Sequence, residues 1–205
     1  MPKQFSPASE RNKVPILNVL RRLFSEPSRI LEIGSGTGQH AVWFSYHLPQ
    51  ITWQPSDRAN AFQDLSDSLP TETPSNLLQP IRLDVAQNNI SELGKFDAVY
   101  TANTLHIMSW AEVGAFIQLL PALLFPNGIF VAYGPFNYAG KYTNESNEAF
   151  DQMLRNRDPL SGIRDFEALD GLLSKAGFKL NDDEEMPANN RLICWKMSEA
   201  LGSKR

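Results

Sequence analysis

The stretch Arg29-Ile30-Leu31-Glu32-Ile33-Gly34-Ser35-Gly36-Thr37-Gly38-Gln39-His40 limits what this chain can fold into more than any other. An apolar run that ends in an acid and three alternate glycines describes a buried strand turning sharply into a helix. Glycine permits backbone angles closed to other residues and lets a ligand lie close to the chain, and the helix start offers N–H groups. The stretch predicts a nucleotide-cofactor cradle, and with it an α/β sheet whose ligand crevice lies outside the carboxyl ends of the strands.

Spacing bears on which nucleotide. The dinucleotide fingerprint is G-x-G-x-x-G, whereas here the third glycine, Gly38, comes one residue early and Gln39 stands in the expected place. Glu32, two residues before the first glycine, suits a cofactor with a positively charged amino acid moiety better than a pyrophosphate. In this pattern the sequence resembles the class I S-adenosylmethionine-dependent methyltransferases, whose first motif reads acid-x-Gly-x-Gly-x-Gly. That resemblance implies S-adenosyl-L-methionine as cofactor, held by Glu32, Gly34, Ser35, Gly36 and Gly38. It also implies one three-layer α/β sandwich with a Rossmann-like seven-stranded sheet in the order 3-2-1-4-5-7-6, strand 7 antiparallel. A strand–helix turn without ligand, a nicotinamide-dependent oxidoreductase and a non-catalytic cofactor-binding module are the alternatives.

Composition narrows the class. With 205 residues, 42% hydrophobic and 20% charged, the chain suits a single domain over 1–205. Within it a capping segment covers residues 1–25 and a substrate-loop insertion covers about 136–165. Lys and Arg number 19 against 23 Asp and Glu, so there is no basic field for a nucleic acid. Cys194 is the only cysteine, which excludes an internal disulfide and a multi-cysteine zinc site, and no metal is expected. Met1-Pro2-Lys3-Gln4-Phe5 lacks the apolar core of a signal peptide, and no run reaches the ~20 apolar residues of a membrane span. The expectation is a cytoplasmic protein with a small-molecule acceptor, no membrane association and no evident obligate protein partner.

Along the chain, Ser6 to Lys13 carries helix-start chemistry, Pro15 suits a first turn, and Ile16, Leu17, Leu20, Leu23 and Phe24 follow at helical spacing. The prelude Ser-Pro-Ala-x-x-Arg-Asn-Lys-x-Pro-Ile is similar to the N-terminal signature of a small, functionally uncharacterised family of methyltransferase-like proteins. By that analogy Asn12 and Lys13 fold over the cofactor or substrate mouth; the plain alternative is a helix cap and solvated surface. Ile51–Asp57 alternates like a strand, with regular pairing expected to stop at Pro55. Asp57 at its end can accept from a ribose diol or cap the next helix. A third strand over Pro80 to Val85 leads to Asp84. By resemblance Asp84, with Val85 beside it, meets the adenine amine; otherwise it caps the turn into Gln87-Asn88-Asn89.

The strand Phe96 to Ala102 runs into Asn103-Thr104-Leu105-His106-Ile107-Met108, which is ligand territory at a strand carboxyl end. By resemblance a carbonyl near Ala102 and Asn103 holds the methionine ammonium, while Asn103 and His106 face the methyl or the acceptor. His106 is the candidate base, or else a buried packing histidine. His40 and His47 read as helix surface or packing. Trp110 to Leu124 steps as a long helix, with Pro126-Asn127-Gly128 as its terminator, and Ile129 to Phe136 follows as a strand. The loop from Asn137 to Thr143 is the candidate acceptor loop, with Asn137 to orient a polar group and Tyr138 and Tyr142 as walls; a solvated surface loop is the plain alternative. A helix over Asn147 to Arg157, a turn in which Arg157 or Arg164 can meet an anionic group or else make surface ion pairs, a helix capped by Asp165, a closing hairpin and an eight-residue polar tail complete the reading.

Overall fold

The computed structural model describes residues 5–87, 90 and 93–198, so the leader reading at Met1–Gln4, the Asn88-Asn89 turn and the tail beyond Ser198 lie outside the described residues. The chain divides into two compact units, Met1–Ile90 and Ser91–Arg205.

The first unit contains α1 (Pro7–Leu23), β1 (Ser28–Ile33), α2 (Gln39–His47), β2 (Ile51–Asp57), α3 (Ala59–Ser68) and β3 (Ile81–Arg82). Ser6 caps α1 by accepting from Ser9 N–H, and Pro7 occupies the first turn, where no donor is needed. The polar prelude is therefore itself helical, and Pro15 lies inside the helix instead of at its start. The carbonyl that Pro15 leaves without a donor belongs to Arg11, an exposed residue, so water can satisfy it. Ile16, Leu17, Val19 and Leu20 bury the apolar side.

Strands β1 and β2 pair in parallel from Ser28↔Ile51 to Ile33↔Ser56, straight through Glu32↔Pro55. The expected break at Pro55 does not occur. Pairing with β3 begins only at Ser56↔Ile81, so the flank of β2 beside Pro55 carries no β3 partner to miss a donor. The third strand is shorter than predicted, Ile81–Arg82 only.

The second unit contains β4 (Phe96–Ala102), α4 (Trp110–Leu123), β5 (Leu124–Gly134), β6 (Phe136–Asn137), α5 (Glu145–Arg157), β7 (Arg164–Asp165), α6 (Phe166–Lys175), β8 (Phe178–Met186) and β9 (Asn190–Met197). A reciprocal capping box between Ser109 and Glu112 starts α4. That helix ends at Leu123, ahead of the predicted terminator, and Pro126-Asn127-Gly128 lies within β5 where its register with β4 shifts. Asp165 caps α6 as expected, accepting from Ala168 N–H.

The strands run β3-β2-β1-β4-β5-β9-β8, with β9 antiparallel to β5. This is the predicted 3-2-1-4-5-7-6 order once β6 and β7 are set apart, because those two form a separate parallel pair. Strands of two residues carry no periodicity that would mark this pair in the sequence. The pair joins the predicted acceptor loop to the start of α6, with Phe136 opposite Arg164 and Asn137 opposite Asp165.

Candidate functional site

In the first unit the three glycines that follow β1 all have positive φ, at 73° for Gly34, 56° for Gly36 and 70° for Gly38. Side chains are strained there, so the turn depends on glycine. The N–H groups of Gly34 and Ser35 both donate to Ser56 O, at 3.1 and 2.9 Å, and Gly38 N–H donates to Ser35 O at 2.9 Å. Gly36 N–H donates to Asp57 Oδ2 at 2.9 Å. A Cβ built on Gly36 meets nothing within 4 Å, which leaves open space above the turn.

This hydrogen-bond pattern bears on the two nucleotide readings. The N–H groups of Gly34, Ser35, Gly36 and Gly38 are engaged within the protein, so these four are not offered to a pyrophosphate. An uncharged adenosine lying over glycine backbone does not call on them. Asp57 is 8% exposed and also accepts from Arg58 N–H at 2.8 Å. Each of its oxygens thus takes one backbone donor and keeps a second lone pair for a hydroxyl. The capping alternative is not realised, since α3 starts without a side-chain cap.

Glu32 lies beneath the turn, 2% exposed. Its Oε2 accepts from Ser35 Oγ at 2.8 Å and from Trp53 Nε1 at 3.0 Å. Burial pushes its pKa up to about 7 against the pull of those two donors, and the charge of Asp57 adds to the rise. Glu32 therefore holds the turn from below, through Ser35. From α1, Ser6 N–H donates to Gln39 Oε1 at 2.6 Å, and Thr37 Oγ donates to the same oxygen at 2.9 Å. Asn12 is buried with its Oδ1 2.7 Å from His40 Nε2, and burial pushes His40 down to about 4. Lys13 pairs with Glu10 and lies over the Trp43 ring at 4.1 Å from its centre. Both signature residues thus engage partners inside the first unit. Asp84 follows the end of β3 and caps its own turn, accepting from Ala86 N–H at 3.0 Å and Gln87 Nε2 at 2.9 Å, and Val85 beside it is buried.

In the second unit Asn103 takes the left-handed conformation at φ 54° and donates its N–H to Tyr133 O at 2.8 Å. Asparagine tolerates this region better than most residues. Ala102 O accepts from Thr104 Oγ at 3.0 Å. His106 is 7% exposed and meets the Phe150 ring edge-on at 5.3 Å. Burial, with the positive charges of Arg164 and Arg157, pushes its pKa down to about 4, so the ring is neutral at pH 7.

The turn around His106 is held in a way the sequence did not announce. Arg164, read as a possible anion-binding group, is buried and donates from Nε to Leu105 O at 2.9 Å and from Nη2 to Met108 O. Gly162 N–H donates to His106 O at 2.8 Å, and Ser161 Oγ to Ile107 O at 3.3 Å. Four consecutive carbonyls are therefore satisfied by one segment more than fifty residues away in the chain. Tyr138 and Tyr142 go to different partners, Tyr138 to Asp183 and Tyr142 to Asp151, each at 2.7 Å. Asn137 Oδ1 is buried and has no hydrogen-bond partner among the described residues, a condition that calls for a donor from outside the chain.

Residues 3–197 match the family model described as "Protein of unknown function (DUF938)". The chain belongs to the DUF938 family. Among solved structures, this DUF938 member is similar to an O-methyltransferase family protein from Burkholderia thailandensis, with a TM-score of 0.79 and 15% identity over 92% of this chain and 57% of that one. An O-methyltransferase family 2 protein from Planctomyces limnophilus, solved in complex with apigenin, gives a TM-score of 0.78 and 14% identity over 92% and 57%. The S-adenosylmethionine-dependent methyltransferase SibL in its apo form gives 0.76 and 18% identity over 93% and 56%. The chain thus spans little more than half the length of these structures, and at such identities the likeness establishes the fold. Among the described residues there is no metal-binding cluster of His, Cys, Asp and Glu, and no helix long and apolar enough to cross a membrane.

Proposed function

We propose that this protein transfers a methyl group from S-adenosyl-L-methionine to a small-molecule acceptor. The observation that carries the reading is the glycine turn after β1. Four of its N–H groups are engaged internally, the space over Gly36 is open, and Asp57 keeps lone pairs for a diol. That arrangement fits a nucleoside without phosphates. The strand order and the methyltransferase neighbours agree with it.

On this reading Gly34, Ser35, Gly36 and Gly38, with Glu32 beneath them, shape the surface for the donor. Asp57 accepts from the ribose hydroxyls, Asp84 and Val85 serve the adenine, and the Ala102 and Asn103 backbone serves the methionine ammonium. The donor's sulfonium supplies a methyl already activated for displacement, so the chain's task is alignment of the acceptor and exclusion of water. His106 accepts a hydrogen bond from the acceptor's hydroxyl or amine at a ring nitrogen and so aims its lone pair; Asn103 assists from the same turn. A pKa held near 4 makes the neutral ring an orienting acceptor more than a store for the proton. Asn137 offers its unpartnered Oδ1 to a polar group of the acceptor, and Tyr138 and Tyr142 keep the loop in place. Asn12 and Lys13 support the donor side through α1.

Calorimetry with S-adenosyl-L-methionine and NAD as separate titrants tests the donor. Binding of the first and no heat from the second is the expected result, and tight NAD binding alone overturns the reading. Turnover is then followed as S-adenosylhomocysteine release over a panel of phenols, alcohols, amines and thiols. Donor binding without release from any of them would point to a non-catalytic binding module.

A further inference from the structure

Asp151, in the middle of α5, has no role in the chemistry described so far, yet it is 1% exposed. A buried carboxylate requires partners, and its three come from three directions. Oδ1 accepts from Ile163 N–H at 2.6 Å, and Oδ2 accepts from Arg155 Nε and from Tyr142 Oη, each at 2.7 Å. Burial alone would raise its pKa, but the donors prevail and hold Asp151 below the usual carboxylate range.

These partners lie at the ends of two other features. Ile163 belongs to the Ser161–Arg164 segment that satisfies the carbonyls of Leu105, His106, Ile107 and Met108. Gly162, between them, has φ 152°, and a Cβ placed there would lie 2.6 Å from Arg155 Nη2 and 2.9 Å from Asp151 Oδ1. The segment is thus pressed against the Asp151–Arg155 pair on one side and bonded to the His106 turn on the other. Tyr142 belongs to the predicted acceptor loop. A continuous path therefore runs from that loop through Tyr142, Asp151 and the Gly162-Ile163 backbone to the carbonyl of His106.

We propose that Asp151 is a positioning residue for His106, and that Tyr142 is the point through which the loop over residues 137–143 acts on it. Movement of the loop that breaks the Tyr142 bond loosens the Ser161–Arg164 segment and with it the His106 turn. The assignment rests on the reading that His106 faces the acceptor, but the bonds themselves do not depend on the donor.

The test is the titration of His106 in the full chain, followed by ring ¹⁵N and ¹³C NMR and assigned by comparison with His106→Gln. Arg164 and Arg157 are the charged groups that face this ring. In the wild type it is expected to titrate well below the ordinary 6.5, at about 4, because it is buried beside Arg164 and Arg157. In Asp151→Asn the turn loosens, water reaches the ring, and the pKa rises toward the ordinary 6.5 by at least about one unit. Tyr142→Phe moves it the same way by less. The direction matters, because removing the negative charge of Asp151 would by itself lower a histidine's pKa. His40, held by Asn12 in the first unit, is the control for intact folding. If His106 stays near 4 or falls in both variants while His40 is unchanged, Asp151 merely supports α5 and the proposal fails. Because no donor or acceptor enters the experiment, this failure is distinct from failure to bind S-adenosyl-L-methionine.

Discussion

Both turns proposed to serve the reaction follow the carboxyl end of a parallel strand, but they are held by opposite means. The glycine turn after β1 is fixed through its N–H groups, by the Ser56 carbonyl and the Asp57 carboxylate about twenty residues further along the chain. The His106 turn after β4 is fixed through its carbonyls, by donors from Ser161, Gly162 and Arg164. The first is a rigid shape set by glycine torsions and the adjacent strand, as a constant cofactor requires. The second inherits its shape from a distant segment and changes when that segment changes, which suits an end of the site that must match a particular acceptor.

The largest expected effect is on the second turn. Arg164→Met leaves the buried carbonyl of Leu105 and the half-buried carbonyls of Met108 and Leu160 without their Arg164 donor and should lower stability by on the order of 4 kcal/mol, read from urea unfolding. A loss below about 1 kcal/mol would mean that the turn is not held from afar.

Next comes the buried acid under the first turn. Folded Glu32 keeps its proton up to about pH 7, whereas the unfolded chain releases it near 4.5, so the wild type loses stability as pH rises between these values. Glu32→Gln keeps an acceptor for Ser35 and Trp53 and does not titrate. Its stability relative to wild type should improve by about 3 kcal/mol from below that window to above it. His40 and His106 act in the opposite sense, because both are neutral when folded and charge near 6.5 when unfolded, so they cost stability as pH falls from 6.5 to about 4. Denaturant curves at a series of pH values read both slopes.

Asp57→Ala should weaken donor binding by roughly 1.5–3 kcal/mol, about ten- to a hundredfold in Kd, while leaving the His106 titration unmoved. An unchanged dissociation constant in calorimetry would remove Asp57 from the ribose role. The smallest effect on folding is expected for Gly36→Ala, about 1 kcal/mol for a side chain at φ 56° with no steric clash. Its methyl occupies the space over the turn, so donor affinity should fall by more than stability does, which thermal melts and calorimetry on the same sample can compare.

Prolines show where local reading reaches its limit. Pro15, Pro55 and Pro126 each suggested a start, an interruption or a stop, and each lies inside a helix or a strand. A missing N–H ends an element only if some acceptor needed it. Whether one did depends on the neighbouring strand or on solvent, which the flanking residues do not reveal. Asp151 carries no local signal either: its spacing four residues before Arg155 on a polar helix suits an exposed ion pair, and its burial comes from Tyr142 and Ile163, which belong to other segments.

The amino-acid order alone determined the glycine turn with its neighbouring acid and the capped start of α6, and the strand order followed from the resemblance that this turn carries. Torsional preference, apolar periodicity and capping are properties of short stretches. Only the tertiary structure decided that Arg164 clamps backbone instead of awaiting an anion, that the two tyrosines of the loop part company, and that Asp151 joins that loop to His106. Those outcomes depend on which buried carbonyls and carboxylates are left needing a donor after the chain has packed, a condition that no local pattern of residues encodes.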